Sequence, residues 1–522
     1  MKKFKTLITL SLFFTVTFCS LHSLRGQEAI ESISAEELKS HIYFLASDFM
    51  AGRVGPSHEY EIAAQYVATQ FAAAGIEPAV VSEDGTKSYF QGVPFAKTVF
   101  GDKIGWKITV DGNANYLKHI EDFKILYGSS LNHTNLDIVY VGYGIEEPDY
   151  GWNDFEGLDT EGKIMVCIGG APVKKGEPVL PGEINKKYIG PMGLQSKIMG
   201  LFSKNAAAII LVDVDGTSGI PYPMMPSQFE KEKYVYKGGE SGRRGGMPSV
   251  YLAKPEIMNI LMGDNKYNPL ANKDDILKKY KTQVLENIKF DAEIEVISEE
   301  EIISKNIIGV VPGTDPVLKD EVIVIGAHLD HVKPVNGQVC NGADDNASGS
   351  AGVIEIAEAV KLSPCKRTMV FITYTAEEMG LLGSRYFIDS ELYSKDLIKF
   401  NLNMDMIGRS STKNEESRAH YVVTNKKYVA GIEEFITDVN KGITDFPIIY
   451  DNDEDSPGGS DHQNFIGEGI PAFFFFSGMH RDLHQPGDDP EKIDYAKAES
   501  IARLGYLIVE KLGNMETVPT FE

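Results

Sequence analysis

The chain has 522 residues, 43% of them apolar, and a net charge of −24. That length allows two or three domains, and that composition excludes a largely disordered chain. The acidic balance, with no basic stripe to neutralise phosphates, excludes a nucleic-acid partner and leaves a globular acidic protein.

The N-terminus reads as an export signal. Lys2, Lys3 and Lys5 precede an apolar run at 7–18 that is short for a membrane span, and polar sequence resumes near Arg25-Gly26-Gln27. Residues 1–26 are expected to be cleaved, which leaves no stable membrane span and places the mature protein in a periplasm or outside the cell. An uncleaved anchor is the alternative. Lipid anchoring at Cys19 is the lesser reading, because Phe18 is a poor residue to precede a lipidated cysteine. Cys167, Cys340 and Cys365 then remain, too few for a disulfide framework and enough for one bridge at most. Cys167 lies in the apolar run KIMVCIGG as a buried thiol, and Cys340, beside a Gly-Ala-Asp-Asp turn, is expected to pack rather than bind metal.

The mature chain opens with ISAEELKSHIYFLASD, where Ser34 and Glu37 form a capping box ahead of apolar residues at helical spacing. A second helix, YEIAAQYVATQFAAAG, is expected to stop at Gly75, and GWKITVDG reads as a strand. Near residue 131 glycine, proline and aromatics become frequent. KIMVCIGG and AAAIILVDVDG read as strands buried on both faces, SKIMGLFSKN as a helix between them, and MPSVYLA as a further strand. A long loop of mixed charge occupies 216–245. Residues 131–285 are expected to form a separate inserted module without a cluster of metal-binding or nucleophilic residues.

From residue 288 the pattern changes. FDAEIEVI, KNIIGVVPG, EVIVIGAH, RTMVFITYT, KFNLNMD and PAFFFFSG read as strands, with ASGSAGVIEIAEAVKL and YAKAESIARLGYLIVEKL as helices. Strands alternating with helices imply an α/β fold, a mixed and mostly parallel central sheet with helices on both faces. The four phenylalanines at 473–476 are expected in a buried strand rather than a substrate pocket.

In such sheets ligands collect beyond the carboxyl ends of the strands. His328 ends EVIVIGAH, Glu377 and Glu378 follow RTMVFITYT, and Asp405 ends KFNLNMD. His484 follows PAFFFFSG after a short loop, and Asp344 and Asp345 lie in a turn before a helix. A lone histidine at a strand end is more often structural, and a Glu-Glu pair is more often a solvated face. Here several such groups recur with glycines that permit close approach. Mixed nitrogen and carboxylate donors suit zinc, and a shared carboxylate lets two ions sit about 3.5–4 Å apart.

These landmarks resemble those of the M28 family of zinc aminopeptidases with an inserted protease-associated (PA) domain. AHLDHV, GADDNASG, TAEEMGLLGS, NMDMIG, SDHQNF and LHQPGDD follow the family's catalytic order, FLASDFMAGR resembles its opening segment, and VYVGYGIEEPDYGWNDFEGLDTEGKIMV resembles the start of its PA module. The resemblance implies a zinc-exopeptidase-like domain over 27–130 and 286–522 and a β-rich PA domain over 131–285. It implies two Zn2+ ions bridged by Asp345, with His328 and Asp405 completing one site and Glu378 and His484 the other. It makes Glu377 the general base and later the acid, gives Asp330 the task of orienting the His328 imidazole, and implies a cis peptide at Asp345-Asn346. Substrates would be peptides with a free N-terminus. His331, His462 and His480 fall off the ligand positions, and His462 is a candidate for lining the pocket. Some members carry a tyrosine just before the last histidine ligand; this chain has Leu483, and Tyr450 is the candidate substitute. The alternating aspartates of DNDEDSPGG depart from a calcium loop at Ser456 and His462 and read as a solvated loop bordering the cleft. A carboxypeptidase of the same family, with Arg409 as its cation, a one-zinc glutaminyl cyclase, and a non-catalytic binding protein on this fold are the alternatives.

Overall fold

The computed structural model describes residues 25–127, 132–213, 222, 232–237, 248–263, 281–335, 337–423, 431–451 and 459–519. The export segment with Cys19, most of the loop at 216–245, and residues 452–458 of the aspartate-rich stretch lie outside the described residues. The chain divides into two units: Met1–Phe95, Tyr236–Gly239 and Ile302–Glu522 form the first, and Ala96–Val235 with Glu240–Glu301 form the second. The second unit therefore begins before residue 131 and ends after 285. The reason is local. The strand Asn113–Lys118, expected with the opening segment, pairs register for register with Gly105 to Val110 of the strand Phe90–Val110 and brings that hairpin into the second unit.

In the first unit the sheet runs in the order Ile448–Asp451, His420–Val423, Ala472–Phe476, Ile398–Asp405, Val322–His328, Thr368–Tyr374, and the end of Gln283–Val311. The pairings from Ala472–Phe476 through Thr368–Tyr374 are parallel, and antiparallel neighbours flank them. All seven residues of Val322–His328 are buried. Alternate residues serve opposite faces, as a period of two dictates. Ile323, Ile325 and Ala327 pack with the helices Ala35–Leu45, His58–Ala73, Gly349–Leu362 and Tyr495–Asn514. Val322 and Val324 pack with Phe387 of Leu382–Asp389 and Phe465 of His462–Gly467. The sheet is thus covered by helices on both faces. Phe473 to Phe476 form the expected buried strand.

The helix starts follow the expected chemistry. The Ser34 hydroxyl accepts from the Glu37 N–H at 3.2 Å, while the Ser34 N–H is taken by Glu355 Oε2 at 3.1 Å. Glu355 also faces His41 Nε2 at 3.3 Å, so the first helix is pinned to Gly349–Leu362. FDAEIEVI and KNIIGVVPG, expected as two strands, belong to one, Gln283–Val311. The glutamates between them are exposed and extended, and no proline or glycine interrupts the strand before Gly309.

In the second unit Ser249–Ala253, Ala208–Val212, Ile164–Ile168 and His133–Tyr140 form a parallel run, with every residue of the first three buried. Phe123–Tyr127 and the first part of Gln283–Val311 close it antiparallel. Trp106 stacks on Phe123 at 3.7 Å between ring centroids. Lys197 is buried, and its ammonium donates to the carbonyls of Tyr143, Ile168 and Gly170. Cys167, Cys340 and Cys365 are free and buried. Among the described residues no helix is long and apolar enough to cross a membrane.

Arg53 ties the opening segment to the loops at the carboxyl edge of the first sheet. Its guanidinium is fully buried and donates to the carbonyls of Leu329 (3.0 Å), Leu45 (2.5 Å), Asn341 (2.6 Å) and Gly342 (3.0 Å). Arg53→Met leaves these acceptors unpaired, at about 1–3 kcal/mol for each buried group that finds no water. We expect a loss of at least ~3 kcal/mol in urea unfolding, and a loss below ~1 kcal/mol would contradict this role.

His420 is buried with neither ring nitrogen hydrogen-bonded, edge-on to Phe475. Burial, helped by Lys497, holds its pKa well below the ordinary 6.5. The unfolded chain therefore binds the proton first. The stability this neutral ring contributes is present above about pH 6.5 and is lost as pH falls below it, by about 1.4 kcal/mol per pH unit. His420→Gln should flatten the acid limb of stability against pH by that slope in urea unfolding at pH 7, 6 and 5.

Candidate metal centre

The strands deliver their polar ends to one place. His328 closes Val322–His328, and Asp405 closes the adjacent parallel strand Ile398–Asp405. After Thr368–Tyr374 the chain turns at Ala376 (φ +54°) and presents Glu377 and Glu378. Asp345 comes from the turn before Gly349–Leu362. This turn requires glycine at 342: φ is +59°, and a Cβ there would lie 2.3 Å from the Asp345 carbonyl and 2.6 Å from the His331 ring. Asp488 grips the same turn by accepting the Asp344 N–H (3.0 Å) and the Asp345 N–H (3.0 Å). Asn346 secures the far side by donating to Met404 O and accepting from Gly349 N–H. The Asp345-Asn346 peptide is cis.

These side chains converge. His328 Nε2 lies 3.3 Å from Asp345 Oδ1 and 3.3 Å from Asp405 Oδ1, with Glu377 Oε2 at 4.0 Å. His484 Nε2 lies 3.1 Å from Asp345 Oδ2 and 3.2 Å from Glu378 Oε2. Asp345 therefore turns one oxygen toward each histidine. Zinc bonds of ~2.0–2.1 Å in a tetrahedron place neighbouring donors about 3.3 Å apart, and these separations match that edge. His328 Nδ1 donates to the main-chain oxygen of Asp330 at 3.0 Å, which leaves the Nε2 lone pair free. His328 Nε2 and Asp405 Oδ1 are buried without a hydrogen-bond partner. The donors and their orphaned atoms fit divalent zinc.

The electrostatics separate the adjacent glutamates. Burial raises Glu377; His328 opposes this, Glu378, Asp405 and Asp461 add to it, and the pKa stands well above the usual value. Burial and Asp345 would raise Glu378, yet His331 and His484 outweigh them and bring it to about 2. Burial likewise fails to raise Asp345, because His331, His328 and His484 hold it well below the carboxylate range. Burial lowers His484 less than Asp345 and Glu378 raise it, to about 11. A cation in this centre would replace that imidazolium charge and release its proton.

The remaining expected residues fall as follows. The Asp330 carboxylate accepts the N–H groups of Glu377 (3.0 Å) and Glu378 (3.3 Å), and it is the main chain of Asp330, not its side chain, that contacts the His328 ring. His462 is buried and stacks on Phe474 at 4.3 Å, with its pKa lowered to about 3 by burial. The structure does not bring Tyr450 to the group. Its hydroxyl pairs with Thr437 at 2.8 Å, and its strand is the sheet edge, three strand spacings or roughly 14 Å from the Asp405 strand. Asp344 accepts from Gly408 N–H (2.7 Å) and faces His480 at 3.4 Å. Cys340 Sγ lies 3.9 Å from the His484 carbonyl and packs. Leu483 packs against Met406, Val423, Phe474 and Phe476.

His331, expected off the ligand positions, is part of the group. Its Nδ1 lies 3.0 Å from Glu378 Oε1 and 3.6 Å from Asp345 Oδ2. Its signal was the second histidine of AHLDHV, but it stands beyond the strand end, where alternation no longer says which way a side chain points.

Residues 306–509 match the family model described as Peptidase family M28. Probable leucine aminopeptidase 2 of Trichophyton verrucosum (strain HKI 0517) is 28% identical over 295 residues, covering 53% of this chain and 56% of that protein. Aminopeptidase YwaD of Bacillus subtilis (strain 168) is 30% identical over 214 residues, covering 39% of this chain and 43% of that one. The match thus spans about half the length of these relatives. Among solved structures, an aminopeptidase from Aneurinibacillus sp. strain AM-1 shares the fold with a TM-score of 0.57 at 19% identity, covering 94% of this chain and 97% of that one. A zinc aminopeptidase from Bacillus subtilis does so with a TM-score of 0.53 at 19% identity, covering 93% and 97%. The matched segment contains every residue of the converging group, and over 306–509 the chain is similar to peptidase family M28.

Proposed function

We propose that the protein is an exported dinuclear zinc aminopeptidase that removes N-terminal residues from peptides. The observation that carries this reading is Asp345, whose Oδ1 faces His328 and whose Oδ2 faces His484 at donor-edge distances. His328, Asp345 and Asp405 would hold one ion, and Asp345, Glu378 and His484 the other. The names of the relatives favour aminopeptidase action. Export rests on the basic and apolar N-terminal segment, and the inserted module is read as a PA-like domain acting as lid, access element or interaction surface.

When bound, the two ions supply Lewis acidity and lower the pKa of a water toward about 7. Glu377 would take a proton from the attacking water and return it to the leaving amine. It suits the task because its environment favours the protonated form, while Glu378 beside it is held ionised as a donor. Asp330 fixes both backbones at the turn, so the two acids keep distinct directions. The acidic surroundings suit a substrate's free α-ammonium. The carboxypeptidase alternative needs a cation for a terminal carboxylate. Arg409 is engaged by Asp482 at 2.9 Å, with Asp488 at 3.7 Å, which favours the aminopeptidase reading.

Glu377→Gln should lower the hydrolysis rate by about 10²–10⁴-fold while two ions stay bound, measured with aminoacyl substrates and metal analysis. Near wild-type turnover with full metal would remove Glu377 from this role. Asp345→Asn should fail to retain two ions after dialysis, and retained stoichiometry would count against bridging. Peptides blocked at the N-terminus should survive and unblocked ones should be cut; the reverse pattern supports the carboxypeptidase.

A further inference from the structure

His331 is a buried group of this centre for which the reaction gives no task. Its side chain is wholly excluded from solvent. The ring lies edge-on to His484, 5.7 Å between centroids at 68°, and against Gly342, where any Cβ would strike it. Its Nδ1 meets Glu378 Oε1 at 3.0 Å with hydrogen-bond geometry. An ionised carboxylate only accepts, so Nδ1 carries the proton in this pair. The opposite nitrogen, Nε2, has no hydrogen-bond partner.

We infer that His331 is a positioning residue for Glu378, an inference that rests on the dinuclear reading. The Nδ1–H of His331 engages Oε1 and thereby turns Oε2 toward His484 Nε2, 3.2 Å away. A carboxylate free to rotate presents either oxygen, or both, to a cation. A hydrogen bond on one oxygen selects the other and lowers the conformational cost of binding. Glu378 follows a strained turn rather than ending a strand, so its backbone alone does not set its rotamer. His331 supplies that restraint from a side chain that Gly342 and His484 hold in place.

The inference separates His331 from a direct ligand, because the two roles ask different things of Nδ1. A positioning residue needs an N–H there; a ligand needs a lone pair. Asparagine places an amide N–H close to where the histidine Nδ1–H stands, and its amide nitrogen has no lone pair to offer a metal.

The full-length protein is compared as wild type, His331→Asn and His331→Ala, loaded with zinc and dialysed against graded chelator, with zinc counted by mass spectrometry. The same three proteins loaded with cobalt are compared by visible absorption. The expected result is a loss of affinity for one of the two ions by about 10–100-fold in His331→Ala, with recovery to within about threefold in His331→Asn. The cobalt spectrum of His331→Asn should match wild type. Wild type that retains fewer than two ions overturns the dinuclear reading and this role with it. Two ions in wild type, with His331→Asn as impaired as His331→Ala, overturns the positioning role alone, as does His331→Ala with unchanged affinity. Far-ultraviolet circular dichroism of the metal-free proteins identifies a variant that has lost its fold, and the asparagine variant, close in size and polarity, then decides.

Discussion

The rest of the molecule depends on holding several carboxylates close together out of water. Asp345, Glu377, Glu378 and Asp405 meet within a few ångströms of His328, His331 and His484. Burying ionised acids this close is strongly unfavourable unless positive charge stands among them. Asp345 lies at the middle, with histidines on both of its oxygens. Gly342 opens the turn that carries it, Asp488 binds the N–H groups of Asp344 and Asp345, and Asn346 ties the far side to Met404.

The sheet makes such a cluster possible. Parallel strands in register release the chain at the same edge, so His328 and Asp405 emerge beside each other without any local sequence relation. Alternation along Val322–His328 sends apolar side chains into helical layers on both faces, which locks the strand ends. Arg53 extends this hold to the opening segment: four carbonyls from three separate stretches share one guanidinium. These four carbonyls are thereby satisfied by one buried side chain.

The two adjacent glutamates show how placement alone divides labour. They share a turn, and Asp330 receives both N–H groups. Glu378 points between His331 and His484, which hold its pKa low, whereas burial, with other acids nearby, raises that of Glu377. One residue of sequence separates a metal donor from a proton carrier in the proposed reaction. Arg409 shows the reverse case, a cation near the site whose charge is already answered by Asp482.

Much of the fold was legible because it is written in local physics. The capping pair at Ser34 and Glu37 marks a helix start, and unbroken apolar runs such as EVIVIGAH mark strands buried on both faces. Strand ends then offered His328 and Asp405 as candidates at one sheet edge, and the family resemblance implied that they pair. Where local signals were silent, expectation and structure parted. The exposed glutamates before Ile302 look like a break between strands, yet lacking proline or glycine they stay extended within Gln283–Val311. Tyr450 reads as a candidate by its chemistry, but sheet order places it at the edge, and Thr437 occupies its hydroxyl.

By itself the sequence determined which chemistries were available: imidazoles and carboxylates at the ends of apolar strands, and glycines where the backbone turns left-handed. Only the tertiary structure decided which atoms of those residues meet. It gave Asp330's main-chain oxygen, rather than its carboxylate, to His328, and it brought His331 against Glu378. Periodicity specifies which face of a strand a side chain leaves from. Beyond the last paired residue no such rule applies, and direction is set by packing between segments far apart in the chain.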